Sequence, residues 1–123
     1  MARILVADDA SFMRQIIRDI LESDGHEVVA EASDGIAAVE QFKAHQPDVV
    51  TMDIVMPRRS GIDAVRGIVA LDPTARIVMC SALGQETLVT EALQAGAVDF
   101  IVKPFKPEAV LATLRKVIEK GDA

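Results

Sequence analysis

Residues 3–9 read Arg3-Ile4-Leu5-Val6-Ala7-Asp8-Asp9, an unbroken apolar run closed by two acids. A run this short, without polar alternation, suits a strand buried on both faces, as in a parallel sheet covered by helices. Further runs of the same kind follow at Glu27 to Ala32, Asp48 to Met52, Arg76 to Cys80 and Val98 to Val102. Between them the apolar period changes to that of a helix. Phe12, Ile16, Ile20 and Leu21 show it before the second run, and Val110, Leu111, Leu114, Val117 and Ile118 after the last. Segments 36–44, 62–71 and 86–95 supply the remaining helices. Gly25 and Gly96 stand where a helix ends in a left-handed residue, Asp34 where an N-cap is needed, and Pro107 at a first helical turn.

Strands alternating with helices predict an α/β fold: a doubly wound five-stranded parallel sheet with five helices and right-handed crossovers. The 123 residues contain no repeat, linker or low-complexity stretch, so residues 1–123 are expected to form one domain without an output domain. With 50% hydrophobic residues but only 3% aromatic ones, the core must be aliphatic. Nineteen acidic against thirteen basic residues give a net charge of −6, a field that repels nucleic acid and anionic lipid, so neither DNA binding nor membrane insertion is expected. One cysteine, Cys80, excludes an internal disulfide and reads as a small buried hydrophobe. The apolar start at Ile4 to Ala7 is too short for a signal peptide or a membrane span, and a cytoplasmic location is expected.

Function is legible in what closes each run. In sheets of this class ligands bind beyond the carboxyl ends of the strands, where the winding reverses. That edge receives Asp8 and Asp9 after the first strand, Asp53 after the third, Ser81 after the fourth and Lys103 after the fifth. In the strand order 2-1-3-4-5, taken over from flavodoxin-like sheets and not read from the residues, strands one and three are neighbours about 4.8 Å apart. Asp8, Asp9 and Asp53 then share one crevice. At about 5 Å and an effective dielectric of about 20, each carboxylate pair costs roughly 3 kcal/mol, which a cation relieves. Oxygen donors without His or Cys, few enough to leave room for water and a phosphoryl oxygen, suit Mg²⁺ better than Ca²⁺. Asp53 can then act as the nucleophile of phosphoryl transfer, its acyl phosphate neutralised by Mg²⁺ and Lys103 and hydrogen-bonded by Ser81.

Each residue also has a plainer reading. The acidic pair can cap the following helix, Asp53 can close a strand ahead of Met56-Pro57, Lys103-Pro104 can be an ordinary turn and Ser81 a helix cap. Four separate strand ends carrying a complementary set are hard to assign to capping together. His26 and His45 are isolated and read as solvent-facing.

The residues resemble the CheY-like receiver domains of two-component signalling, from about Arg3 to Lys120. The resemblance rests on Val6-Ala7-Asp8-Asp9, on Met52-Asp53-Ile54-Val55-Met56-Pro57 with Gly61, on Cys80-Ser81-Ala82, and on Asp99-Phe100-Ile101-Val102-Lys103-Pro104-Phe105. Asp8 to Arg14 and Ser81 to Gln85 further resemble the stand-alone chemotaxis members. The resemblance implies that Asp53 is the phosphoacceptor, Asp9 a direct Mg²⁺ ligand, Asp8 a ligand largely through water, and Val55 a ligand through its backbone carbonyl. It also implies that Ser81 is the switch hydroxyl, Phe100 the aromatic that turns inward after phosphorylation, Lys103 the phosphoryl-binding lysine, and Lys103-Pro104 a cis peptide.

By the same resemblance a CheA-type histidine kinase supplies the phosphoryl group, and the face of the fourth helix, fifth strand and fifth helix docks a flagellar motor switch protein. Phe100 stands where many relatives carry Tyr. Val55 and Leu83 are apolar where some relatives are polar, which implies slow self-dephosphorylation and a dedicated phosphatase as a further partner. A monomer is expected. The chain is read as a phosphoacceptor that assists its own chemistry and not as an enzyme: a haloacid-dehalogenase-type phosphatase needs a second acid where Val55 stands, and a flavodoxin-type cofactor site needs a Ser/Thr/Gly-rich loop where Asp8-Asp9 stands. Rival readings within the family are a phosphorelay element outside chemotaxis and a receiver module of a chemotaxis methylesterase.

Overall fold

Strict alternation of strand and helix runs through the structure, a computed structural model that describes residues 1–122. The order is β1 (Arg3–Ala7), α1 (Ser11–Ser23), β2 (Glu27–Ala32), α2 (Gly35–His45), β3 (Val49–Asp53), α3 (Gly61–Leu71), β4 (Ile77–Ala82), α4 (Glu86–Ala95), β5 (Asp99–Lys103) and α5 (Pro107–Asp122). The strands pair in parallel in the order β2-β1-β3-β4-β5, the expected doubly wound sheet.

Side-chain alternation along the strands divides the core in two. Leu5, Val50, Met52, Ile77 and Met79 face α2, α3 and α4, where Phe42, Val65, Ile68 and Ala92 meet them. Ile4, Val6, Val49, Val78 and Ile101 face α1 and α5, where Ile17, Leu21, Val110 and Leu114 meet them. The same period aims the strand ends. Asp8 follows Val6, Asp53 follows Val49 and Thr51, and Lys103 follows Ile101, so all three leave the sheet on the α1/α5 side, whereas Ser81 follows Met79 towards α4.

Local signals are realised where the residues demand them. The Asp34 side chain accepts from the Ala37 N–H at 2.7 Å and caps α2. Gly25 and Gly96 adopt positive φ after α1 and α4. α2 ends on a left-handed Gln46, for which the sequence carries no glycine signal. Arg3 binds the carbonyls of His45 and Gln46 there, meeting two of the helix's free acceptors.

Three expectations are corrected. β3, β4 and β5 each begin one residue later and run one or two residues further than their apolar cores, so Asp53 and Lys103 are last strand residues and Ser81 lies inside β4. The buried stripe of α1 is Met13, Ile17, Ile20 and Leu21. Phe12 and Ile16 are exposed, because docking against β1 and β2 rotates the helix by one position.

His26, expected at the surface, is buried: Nδ1 accepts the Ala2 N–H at 3.0 Å, and Nε2 lies 3.5 Å from Asp24 Oδ2. Burial holds the ring below its usual value of 6.5, with Asp24 opposing that shift in part. Above 6.5 this has no effect on stability; as the pH falls below it, the unfolded chain binds the proton first and stability is lost. The His26 Cε1–H resonance should titrate with a midpoint below 6.5, and one above that value would contradict the buried neutral ring.

Candidate functional site

The carboxyl edge of the sheet gathers the predicted acids. Asp8 is 1% exposed in the turn after β1; its N–H continues the β2 ladder to the Ala32 carbonyl at 3.0 Å. Its carboxylate is held on both oxygens, Oδ1 by the Ala10 N–H at 2.9 Å and Oδ2 by Lys103 Nζ at 3.0 Å. Asp9 is exposed beside it, and Asp53 is buried at the end of β3. One carboxylate oxygen from each of Asp8, Asp9 and Asp53 lies within 4.8 Å of the others. Lys103 Nζ also reaches Asp53 Oδ1 at 3.5 Å, so one ammonium bridges two acids.

The electrostatics follow from that crowding. Burial, with help from Asp8 and Asp9 and against the pull of Lys103, raises the Asp53 carboxyl from 3.8 to about 6. Burial would lower Lys103, but its hydrogen bond to Asp8 and the charges of Asp53 and Asp8 outweigh it and hold the ammonium above its usual value. Lys103 pairs with two of the three acids, and all three offer oxygen ligands. A hard divalent ion fits this set, with Mg²⁺ favoured where few carboxylates leave room for water.

Ser81 is buried at the same edge and pairs with Val102. It opens onto a groove of about 250 Å³ between α4 and β5, lined also by Val89, Thr90, Leu93, Phe100 and Val102. Phe100 is 40% exposed at its outer rim. Val55 stands in the loop beyond Asp53 with its side chain exposed, so only its backbone is chemically available to the site. The Lys103-Pro104 peptide is cis. Cys80, directly across from Asp53 in the sheet, has its thiol pushed up to about 12 by burial and is inert.

Two of the capping readings lose ground. The N-cap of α1 is Ala10 and that of α4 is Gln85, so neither Asp9 nor Ser81 caps a helix. Two participants escaped sequence reading. Arg14 Nη1 donates to the Asp8 carbonyl at 2.6 Å, and Gln85 Oε1 accepts from the Ala82 N–H at 2.7 Å, pinning the loop after Ser81. Arg14 and Gln85 close the two stretches, Asp8 to Arg14 and Ser81 to Gln85, that resemble the chemotaxis members, but nothing along the chain points to either contact.

Gly61 closes the loop after β3. Its N–H donates to the Ile54 carbonyl at 2.8 Å, and a Cβ there would stand 2.0 Å from the Asp53 carbonyl oxygen. That neighbour is backbone and cannot step aside. Gly61→Ala should therefore cost about 2–3 kcal/mol in urea unfolding and shift the Asp53 amide resonance. A variant as stable as the parent would show that the loop is not held so closely.

The response regulator receiver domain family matches residues 4–115. The chain is 56% identical over 116 residues to the chemotaxis protein CheY of Bacillus subtilis, covering 94% of this chain and 97% of that protein. It is 53% identical to the CheY of Thermotoga maritima, covering 94% of this chain and 96% of that one. Among solved structures it is similar to a CheX-CheY-BeF3-Mg+2 complex from Borrelia burgdorferi, with TM-score 0.89 and 39% identity over 94% of this chain and 87% of that one. With an acidic crevice built by its own strand ends and a family match over most of its length, the chain belongs to the response regulator receiver domains.

Proposed function

We propose that this chain is a chemotaxis response regulator, phosphorylated on Asp53 by a CheA-type histidine kinase in an Mg²⁺-dependent reaction. The observation that carries this reading is the placement of Asp8, Asp9 and Lys103 around a single buried Asp53. An Asp53 oxygen attacks the phosphorus of a phosphohistidine, the P–N bond breaks, and the imidazole leaves with the electron pair. Asp8, Asp9, Asp53 and the Val55 carbonyl would hold Mg²⁺, which when bound neutralises phosphoryl oxygens. Lys103, kept charged by its acids, neutralises another, and the Ser81 hydroxyl donates to a third. The chain serves as a phosphoacceptor and not as a turnover enzyme.

Output follows from the groove beside Ser81. Drawing Ser81 towards a phosphoryl oxygen empties space that the half-exposed ring of Phe100 can fill, which changes the face made by α4, β5 and α5. That face is the proposed site for a flagellar motor switch protein. Similarity to CheY chains supports the chemotaxis role; a similar chain is bound to a second protein in the solved CheX-CheY-BeF3-Mg+2 complex, and a separate dephosphorylating partner is part of this proposal. No helix among the described residues is long and apolar enough to cross a membrane.

Mg²⁺ with beryllium fluoride, followed by amide NMR and by binding of motor-switch peptides, tests the proposal. Shifts at Ser81, Ala82 and Phe100 together with tighter peptide binding are expected. Unchanged Ser81 and Phe100 resonances would remove the switch, and uptake of phosphate from a CheA-type kinase at a residue other than Asp53 would remove the acceptor.

A further inference from the structure

We infer that Arg14 is a positioning residue that aims the Asp8–Asp9 turn at the cation, an inference resting on the Mg²⁺ reading above. The last ladder pairs of β1 are Ala7 with Ala32 and Ala7 with Met52, so the Asp8 carbonyl lies beyond the regular pairing. Arg14 supplies its partner, with Nη1 donating at 2.6 Å. The guanidinium cannot swing away. Its Nε donates to Glu31 Oε1 at 3.0 Å, while the other Glu31 oxygen accepts from Arg18 Nη1 at 2.6 Å. Glu31 belongs to β2 and Arg14 to α1, so the clamp ties the turn to the two elements that flank it.

The consequence falls on Asp9. No hydrogen bond or ion pair holds the Asp9 carboxylate among the described residues, whereas Asp8 is fixed through both oxygens. Asp9 must be aimed by its backbone. Because the Asp8–Asp9 peptide is planar, fixing the Asp8 carbonyl also fixes the direction in which the Asp9 N–Cα bond departs. Outer partners of this kind typically change metal affinity by about 10–100-fold when removed.

Charge and position predict opposite signs here. Arg14 is a cation beside a cation site, so charge removal alone would tighten Mg²⁺ binding. Positioning requires the reverse. Arg14→Met, which keeps the apolar stem, should weaken Mg²⁺ about tenfold in a calorimetric or NMR titration. Arg18→Met removes an equal charge from the same carboxylate without touching Asp8, and should bind Mg²⁺ as tightly as the parent or more tightly. Arg14→Lys, whose ammonium can still reach the carbonyl but lacks the planar fork that binds the carbonyl and Glu31 from separate nitrogens, should recover part of the loss. Metal-free thermal unfolding and amide spectra report whether each variant is folded. Weakening in a folded Arg14→Met with partial recovery in Arg14→Lys supports the inference. Equal or tighter binding by Arg14→Met, or equal weakening by Arg18→Met, overturns it while leaving the Mg²⁺ site intact. A parent chain that does not bind Mg²⁺ at all would overturn the site itself.

Discussion

Asp53→Asn should take up no phosphoryl group from a histidine kinase or from acetyl phosphate, yet fold more stably than the parent when metal is absent. The first effect is chemical, since a carboxamide oxygen cannot form the acyl phosphate. The second is electrostatic. Burial and the neighbouring acids hold the Asp53 carboxyl up at about 6, so above that pH the folded state carries a charge it disfavours. After discounting for screening by water and Lys103, the variant should gain about 1–2 kcal/mol at neutral pH. The sign follows from linkage. The parent's penalty is full above about 6, shrinks as the folded carboxyl takes up its proton, and is gone below the ordinary value of 3.8. The gain should shrink with it. Phosphate incorporation and metal-free urea unfolding at two pH values check both halves; phosphorylation of the variant would place the acceptor elsewhere, and lower stability at neutral pH would contradict a crowded acidic pocket.

Lys103→Met should have the opposite effect on the fold. Lys103 Nζ is the ammonium shared by Asp8 at 3.0 Å and Asp53 at 3.5 Å, and Asp8 is almost wholly enclosed. Removing it leaves a buried carboxylate without its ion partner, a loss of about 3–5 kcal/mol. Mg²⁺ should recover much of that stability and bind more tightly than in the parent, because a competing cation has gone. Phosphorylation should nevertheless fall by about 100-fold or more even at saturating Mg²⁺, since a fixed charge aimed at a developing phosphoryl oxygen is lost. Thermal unfolding with and without Mg²⁺, beside phosphorylation rates from a small donor, separates these effects. Unaltered stability would show that Lys103 does not balance the acids, and an unaltered rate would show that it does not act on the phosphoryl group.

These expectations contrast because the same cluster was only half legible in the chain. The acids and Lys103 stood out as polar residues closing apolar runs, and the sheet edge does collect them. Strand ends were harder to place. The ladder continues through Asp53, Ser81 and Lys103 because backbone groups pair regardless of the side chain they carry, so polarity marked the strand ends too early. Helix period had a related limit: Phe12 and Ile16 recur as regularly as Met13 and Ile17, and only docking on the sheet decides which pair is buried. His26 looked isolated because its partner Ala2 is 24 residues away.

Sequence by itself determined the alternation of five strands with five helices and the acidic character of one sheet edge, because both arise from local period and from which residue ends each run. Tertiary structure decided which of those residues touch. Strand order brings Lys103 to Asp8 across 95 residues of chain, the rotation of α1 hands Arg14 the Asp8 carbonyl, and Gln85 folds back on Ala82. Contacts of that kind are set by how rigid elements pack, and no periodicity along a chain records the distance between two points that packing brings together.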